Sequence, residues 1–250
     1  MSQDVSQDAA GERVGIFGGT FDPIHQGHLI IAEQVMESLG LSRVLFVPGG
    51  IPPHKEASSI MAATGDRVAL VEAAIAGNES FVLDLTEVEA GRKMYSHETV
   101  RLLKDSYEAE EWYFISGADE VANLPFWKEP DRLLKEVYMV AATRPGHEFS
   151  ELESLAGELE NYHRILHVEC SRVDISATGI RERLAGGRTI RYLVPERVNE
   201  EILQRGLYGV YGSNEASLKD VQEVRDLHKD VHKGESMDQE TRGSRREETV

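Results

Sequence analysis

Apolar positions along the chain follow two rhythms. Short, nearly uninterrupted apolar runs stand at 14–17, 44–47, 81–83, 112–115, 137–142 and 165–168. Runs of this length between turn residues read as strands buried on both faces. Between them apolar residues recur every three or four positions, the spacing of a helix with one face on a core. Leu29, Ile30, Ala32, Val35, Met36 and Leu39 form one such stripe, Val68, Val71, Ala74 and Ile75 a second, Val100, Leu102 and Leu103 a third, and Ile180 and Leu184 a fourth. Strand and helix in alternation predict an α/β fold, a Rossmann-like doubly wound parallel sheet in a single domain over 13–208. Thr64-Gly65-Asp66 is a helix start, Gly40 and Gly77-Asn78 are helix stops, and a last helix follows Pro195. Residues 147–161 read as a weakly specified helix, and Arg67, in the second stripe's helix, is left unassigned, a surface charge being one reading. Residues 1–12 are small, polar and acidic, and read as disordered. In the extension 209–250, Val221, Val224, Leu227 and Val231 predict a short helix, followed by charged residues that cannot build a core.

Composition narrows the function classes. The formal net charge is −17, of which residues 213–250 contribute −3, so the excess acid lies on the main domain. That field opposes a nucleic-acid backbone, and phosphate binding must rest on local donors, a helix terminus and a divalent cation. No apolar run reaches the length of a membrane span and the N-terminus is too polar for a signal peptide, which predicts a cytoplasmic protein. Cys170 is the single cysteine, so there is no intrachain disulfide, and a buried thiol is expected rather than a nucleophile.

The chemistry concentrates at the first strand-to-helix crossing, Gly15-Ile16-Phe17-Gly18-Gly19-Thr20-Phe21-Asp22-Pro23-Ile24-His25-Gln26-Gly27-His28. Ligands of parallel α/β folds bind at the carboxyl ends of the strands. Gly18 and Gly19 let a ligand approach the backbone, and a helix beginning near His28 turns its open N–H groups and dipole toward an anion. His25 and His28, three residues apart, point the same way around that start. Similar strand ends present Gly117 and Asp119 after 112–115, and Arg144 after 137–142. Pro48-Gly49-Gly50-Ile51-Pro52-Pro53-His54-Lys55 is a rigid loop presenting His54 and Lys55. In Ile175-Ser176-Ala177-Thr178-Gly179-Ile180-Arg181, Ser176 caps a helix whose first turn gathers Thr178 and Arg181.

The string Gly-Gly-Thr-Phe-Asp-Pro-Ile-His-Gln-Gly-His resembles the H-x-G-H nucleotidyltransferase superfamily, and within it the bacterial nicotinate-nucleotide adenylyltransferases. The resemblance extends over 13–208 and takes in Pro52-Pro53-His54-Lys55 and Ile175–Arg181, where only Ala177 departs from the pattern Ile-Ser-Ser-Thr-x-Ile-Arg. It implies adenylyl transfer from ATP to nicotinate mononucleotide, giving nicotinate adenine dinucleotide and pyrophosphate in NAD biosynthesis, with magnesium carried on ATP and no metal ligands from the protein. His25, His28 and Arg181 are then implied as catalytic. Gly18, Gly19, Thr20, Phe21, Gly117, Asp119, Ser176 and Thr178 are implied around ATP. His54, Lys55, Tyr95, Ser96, Trp127, Lys128 and Arg144 are implied around the mononucleotide, with Trp127 against the pyridine ring. Where the family reads Ser-Tyr-Thr-x-Asp-Thr, this chain has Met94-Tyr95-Ser96-His97-Glu98-Thr99, a smaller hydroxyl and a longer acid. Beyond 208 the family has no counterpart, and a homo-oligomer formed through the 221–231 helix stays open.

Other readings fit less well. Preference for nicotinamide mononucleotide, or for another phosphorylated acceptor such as phosphopantetheine, keeps the chemistry and changes the acceptor; phosphopantetheine adenylyltransferase resembles a shorter chain with Thr in place of His25. A class I aminoacyl-tRNA synthetase shares H-x-G-H but needs a lysine-rich second signature. A silent nucleotide-binding scaffold is at odds with intact His25, His28 and Arg181.

Overall fold

The computed structural model describes residues 12–50, 61–143 and 154–209. His54, Lys55, Arg144 and the extension beyond 209 lie outside the described residues. Six parallel strands form one sheet in the order β3-β2-β1-β4-β5-β6. They are β1 (Arg13–Gly19), β2 (Arg43–Pro48), β3 (Phe81–Leu83), β4 (Glu111–Gly117), β5 (Tyr138–Thr143) and β6 (Ile165–Glu169). Each matches an expected apolar run within a residue or two. The order runs outward in both directions from β1 and β4, so the switch point lies between these two strands. Their carboxyl ends carry the Gly18-Gly19 loop and Gly117, the place where such sheets bind ligands.

The eight helices among the described residues are α1 (Gln26–Leu39), α2 (Thr64–Ile75), α3 (Thr86–Glu89), α4 (Ser96–Ser106), α5 (Ala118–Ala122), α6 (Pro130–Glu136), α7 (Ala177–Ala185) and α8 (Glu196–Gln204). Alternate strand residues Val14, Ile16, Leu45, Val47, Trp112, Phe114, Met139 and Ala141 share one core with Val100 and Leu103 of α4, Val121 of α5, and Leu133 and Leu134 of α6. That alternation is the period-two geometry of a sheet whose two faces are both covered.

One sequence expectation is corrected, and the residue left unassigned finds its place. The described part of 147–161 contains a 3-10 turn over Ser154–Gly157 instead of a helix, and Leu155 and Leu159 anchor it in the core. α1 begins at Gln26, two residues before His28, with His25 in the extended N-cap conformation. Most consequential, the stripe of α2 is Arg67, Leu70, Val71 and Ile75, so Arg67 occupies a core position and is 1% exposed. Cys170 is buried as expected, and burial pushes its thiol pKa up, away from reactivity.

Candidate active site

The loop between β1 and α1 is locked from three sides. Its carbonyl at Thr20 accepts from Arg67 Nη1 at 2.7 Å, and Arg67 Nη2 reaches the carbonyls of Gly49 at 2.7 Å and Gly50 at 3.2 Å. One guanidinium therefore ties the loop after β1 to the loop after β2. Burial pulls the Arg67 pKa down and the nearby Asp22 carboxylate acts against it. The Asp22 carboxylate accepts from the amides of Met61 at 3.0 Å and Ala62 at 3.1 Å, and from Tyr208 Oη at 3.0 Å. Burial, then the Asp22 charge, drives the Tyr208 pKa far upward, so its hydroxyl keeps its proton and donates. The main-chain carbonyl of Asp22 accepts from Arg181 Nη1 at 2.7 Å. The two diagnostic strings, 159 residues apart, thus meet through one charge-assisted hydrogen bond.

His25 and His28 stack with centroids 3.8 Å apart at an interplanar angle of 27°. The His25 amide donates to Nδ1 of His28 at 3.2 Å. An acceptor Nδ1 carries no proton, so in neutral His28 the ring proton sits on Nε2. Phe21 and Phe17 fix the ring edge-on, with centroids at 5.2 and 5.9 Å. Phe21 holds a positive φ of 49° and is 2% exposed, so its side chain is a wall behind His28. Gly27 is required by His25: a Cβ there would stand 3.1 Å from His25 Nδ1.

His25 is 7% exposed, and burial lowers its pKa from 6.5 to about 4. Its Nδ1 is buried without a hydrogen-bond partner among the described residues. It is therefore neutral at pH 7. The folded pKa lies below the unfolded one, so the unfolded chain takes the proton first as pH falls. The resulting stability is fully present above pH 6.5 and is lost on the way down to about pH 4, a matter of about 3 kcal/mol. Denaturant unfolding at pH 7 and pH 4.5 should show that acid loss, and His25→Asn should shrink it by roughly 2 kcal/mol. An identical acid loss in the variant would place the titrating group elsewhere.

The start of α1 offers fewer open amides than a bare terminus. Gln26 N–H is taken by the Leu193 carbonyl at 3.0 Å, and His28 N–H bonds the His25 carbonyl at 3.0 Å. The dipole remains, and the imidazoles supply donors that the amides do not. α7 begins as expected, with Ser176 Oγ accepting from Gly179 N–H at 3.1 Å. Thr178 Oγ1 accepts from Arg181 Nη2 at 3.2 Å, so hydroxyl and guanidinium form one unit. The β1–β2 register pairs Gly18 with Val47 and Gly19 with Pro48, and the Gly19 carbonyl accepts from Gly49 N–H at 2.8 Å. Gly117 is the exposed N-cap of α5, and Asp119 is exposed in its first turn.

The remaining predicted residues gather at α4 and the loop after α5. Tyr95 is the N-cap of α4 and Ser96 its first residue. Glu98 accepts from Tyr95 N–H at 3.0 Å and pairs with Arg92 at 3.0 Å. The longer acid is thereby spent on capping the helix, and these bonds, Arg92's first, lower its pKa. Trp127 is half-buried and meets Phe114 edge-on at 6.0 Å, while Lys128 is exposed. Sequence reasoning missed Arg67, Asp22 and Tyr208. The position of Arg67 on the α2 stripe was the available signal for the first.

Among the described residues no group of three His, Cys, Asp or Glu side chains stands ready to hold a metal ion, and the Asp22 oxygens are already used. No described helix is long and apolar enough to cross a membrane.

Known proteins share this sequence and this fold. A family model described as cytidylyltransferase-like matches residues 16–183. A probable nicotinate-nucleotide adenylyltransferase of Rubrobacter xylanophilus is 65% identical over 196 residues, covering 78% of this chain and 92% of that one. One of Geobacillus thermodenitrificans is 42% identical over 197 residues, covering 79% and 86%. The nicotinic acid mononucleotide adenylyltransferase of Plasmodium falciparum, solved in complex with APC, shares the fold with a TM-score of 0.62 at 16% identity, covering 79% of this chain and 97% of that chain. The same protein in complex with NaAD gives the same score. With a cytidylyltransferase-like sheet, paired histidines at its switch point and these relatives over most of its length, the chain belongs to the nicotinate-nucleotide adenylyltransferase family.

Proposed function

We propose that the chain transfers the adenylyl group of MgATP to nicotinate mononucleotide through the His25–His28–Arg181 cluster. An oxygen of the mononucleotide phosphate attacks the α-phosphorus of ATP. The bond from that phosphorus to the β-phosphate bridging oxygen breaks, and pyrophosphate leaves with the electron pair. The attacking oxygen is already anionic, so no general base and no covalent enzyme intermediate is needed. The work is positioning and charge stabilisation.

The stacked imidazoles carry this reading. Both are held in place before substrate arrives, and His25 is neutral at pH 7 because it is buried. Neutral His25 donates N–H to the α-phosphate oxygens, where negative charge accumulates, and His28 presents its Nε2–H beside it. Arg181, Ser176 and Thr178 serve the departing pyrophosphate, and Gly117 and Asp119 the nucleoside side. Tyr95, Ser96 and Trp127 line the pyridine subsite, and His54, Lys55 and Arg144 serve the mononucleotide phosphate. Magnesium would come with the ATP phosphates and offset their charge, and the Asp22 carboxylate, already bonded to Met61, Ala62 and Tyr208, would not hold it. The cytoplasm is the compartment that supplies both substrates.

Nicotinate mononucleotide bearing ¹⁸O in its phosphate tests the bond assignment. The label should stay in the dinucleotide, with unlabelled pyrophosphate; label in pyrophosphate would overturn it. Arg181→Lys keeps the charge but cannot serve Asp22 and Thr178 as a planar fork. Its Michaelis constant for ATP should rise about tenfold with part of the turnover retained. Unchanged ATP kinetics would remove Arg181 from the triphosphate.

A further inference from the structure

His97 stands at the one position of the α4 entry string that the family pattern leaves open. A polar side chain in the second position of a helix normally faces water, yet His97 is 8% exposed. Its ring lies parallel to that of Tyr95, with centroids 6.2 Å apart and an interplanar angle of 7°. Its Nδ1 lies 3.2 Å from the main-chain carbonyl of Lys128. A carbonyl only accepts, so Nδ1 carries the proton and donates. Its Nε2 faces the Glu129 carboxylate at 4.0 Å, and Glu129 is also held by Arg132 at 2.9 Å.

That bond joins the two halves of the proposed pyridine subsite. On one side are Tyr95 and Ser96 at the start of α4, and on the other is the segment Trp127-Lys128-Glu129. Glu129 sits at a φ of 55°, a left-handed conformation that costs a non-glycine residue of order ~1 kcal/mol and persists only when surrounding contacts impose it. Trp127 is half-buried against the core, with Phe114 edge-on at 6.0 Å. The Trp127 N–H is fixed by the Leu124 carbonyl at 2.9 Å, and beyond it the Lys128 carbonyl is held to α4 by the His97 bond.

We infer that His97 is a positioning residue for the pyridine subsite, holding the Lys128–Glu129 main chain against the start of α4 so that its N–H donors face the substrate's carboxylate, the Trp127 N–H being already taken by the Leu124 carbonyl at 2.9 Å. The inference rests on the proposed reading of that subsite. It gives the charged residue Lys128 no role beyond its carbonyl, in keeping with an exposed side chain.

Two variants separate the possibilities. His97→Phe keeps the ring against Tyr95 and loses the donor. His97→Asn places an amide N–H where Nδ1 stood. For His97→Phe the Michaelis constant for nicotinate mononucleotide should rise about tenfold, and that for ATP should stay within about twofold. His97→Asn should recover to within about threefold of the parent. An unchanged mononucleotide constant in His97→Phe, equal rises for both substrates, or no recovery in His97→Asn would overturn the inference. Tryptophan emission without substrate provides a check independent of the assigned acceptor. Trp112 is buried in the core and Trp127 half-buried, so release of the loop in His97→Phe should red-shift the spectrum, with His97→Asn restoring it. Parent protein that ignores nicotinate mononucleotide would defeat the subsite reading and leave the emission result to judge His97. Absence of the red shift would overturn the positioning role.

Discussion

Replacing His28 with alanine should lower turnover at least about a hundredfold, the range seen when one preorganised charge-stabilising donor is removed. The ring's tautomer is set by the His25 amide at Nδ1, and its orientation by Phe17, Phe21 and His25. A donor held so firmly loses nothing to reorganisation when charge develops on the α-phosphate. The same substitution also leaves the His25 amide without its capping partner, which should cost about 1 kcal/mol of stability. The domain tolerates that loss, so circular dichroism should be unchanged. A fall in turnover of less than about threefold with the fold intact would show that His28 does not act on the reacting phosphate.

Arg67→Met should have the largest effect on stability. The methionine fills much of the volume but donates nothing, leaving the carbonyls of Thr20, Gly49 and Gly50 and the Thr64 hydroxyl without their partner. It also leaves the buried Asp22 carboxylate without its nearby countercharge. Breaking a buried charged network of this kind costs about 3–5 kcal/mol. For a domain of this length that corresponds to a melting temperature lower by on the order of 10 °C. Arg67→Lys should recover part of the loss, since one ammonium can reach some of the four oxygens but not all. Assayed well below the variant's melting temperature, turnover should still fall more than about tenfold, because the loops after β1 and β2 are no longer tied together. A melting temperature within about 2 °C of the parent would mean the loops hold one another without Arg67.

The strands were legible because both faces of the sheet are covered, which writes each strand as an unbroken apolar run. The H-x-G-H crossing and the Ser176 cap were legible because their residue types answer to local geometry. Arg67 was not. A lone arginine reads as surface until its partners are known, and those are carbonyls 17 to 47 residues distant. The bond from Tyr208 to Asp22 spans 186 residues and has no local signature at all. The positive φ of Phe21, which turns its ring into the aromatic cluster, has no signature in the motif. Glu98 shows a third kind of gap. The sequence showed only an acid longer than the family's, and its extra methylene lets it return to the Tyr95 amide and cap its own helix.

In the proposed adenylyl transfer to the nicotinate form, the substrate carboxylate is met by main-chain donors. A nicotinamide group would present N–H donors to those same donors and leave them unpaired. The direct measurement offers purified protein MgATP with equal concentrations of nicotinate and nicotinamide mononucleotides and quantifies the two dinucleotides. Nicotinate adenine dinucleotide should be in at least roughly tenfold excess, unchanged to within about twofold in Lys128→Ala. Equal amounts of the two products, or a large selective loss in Lys128→Ala, would contradict it.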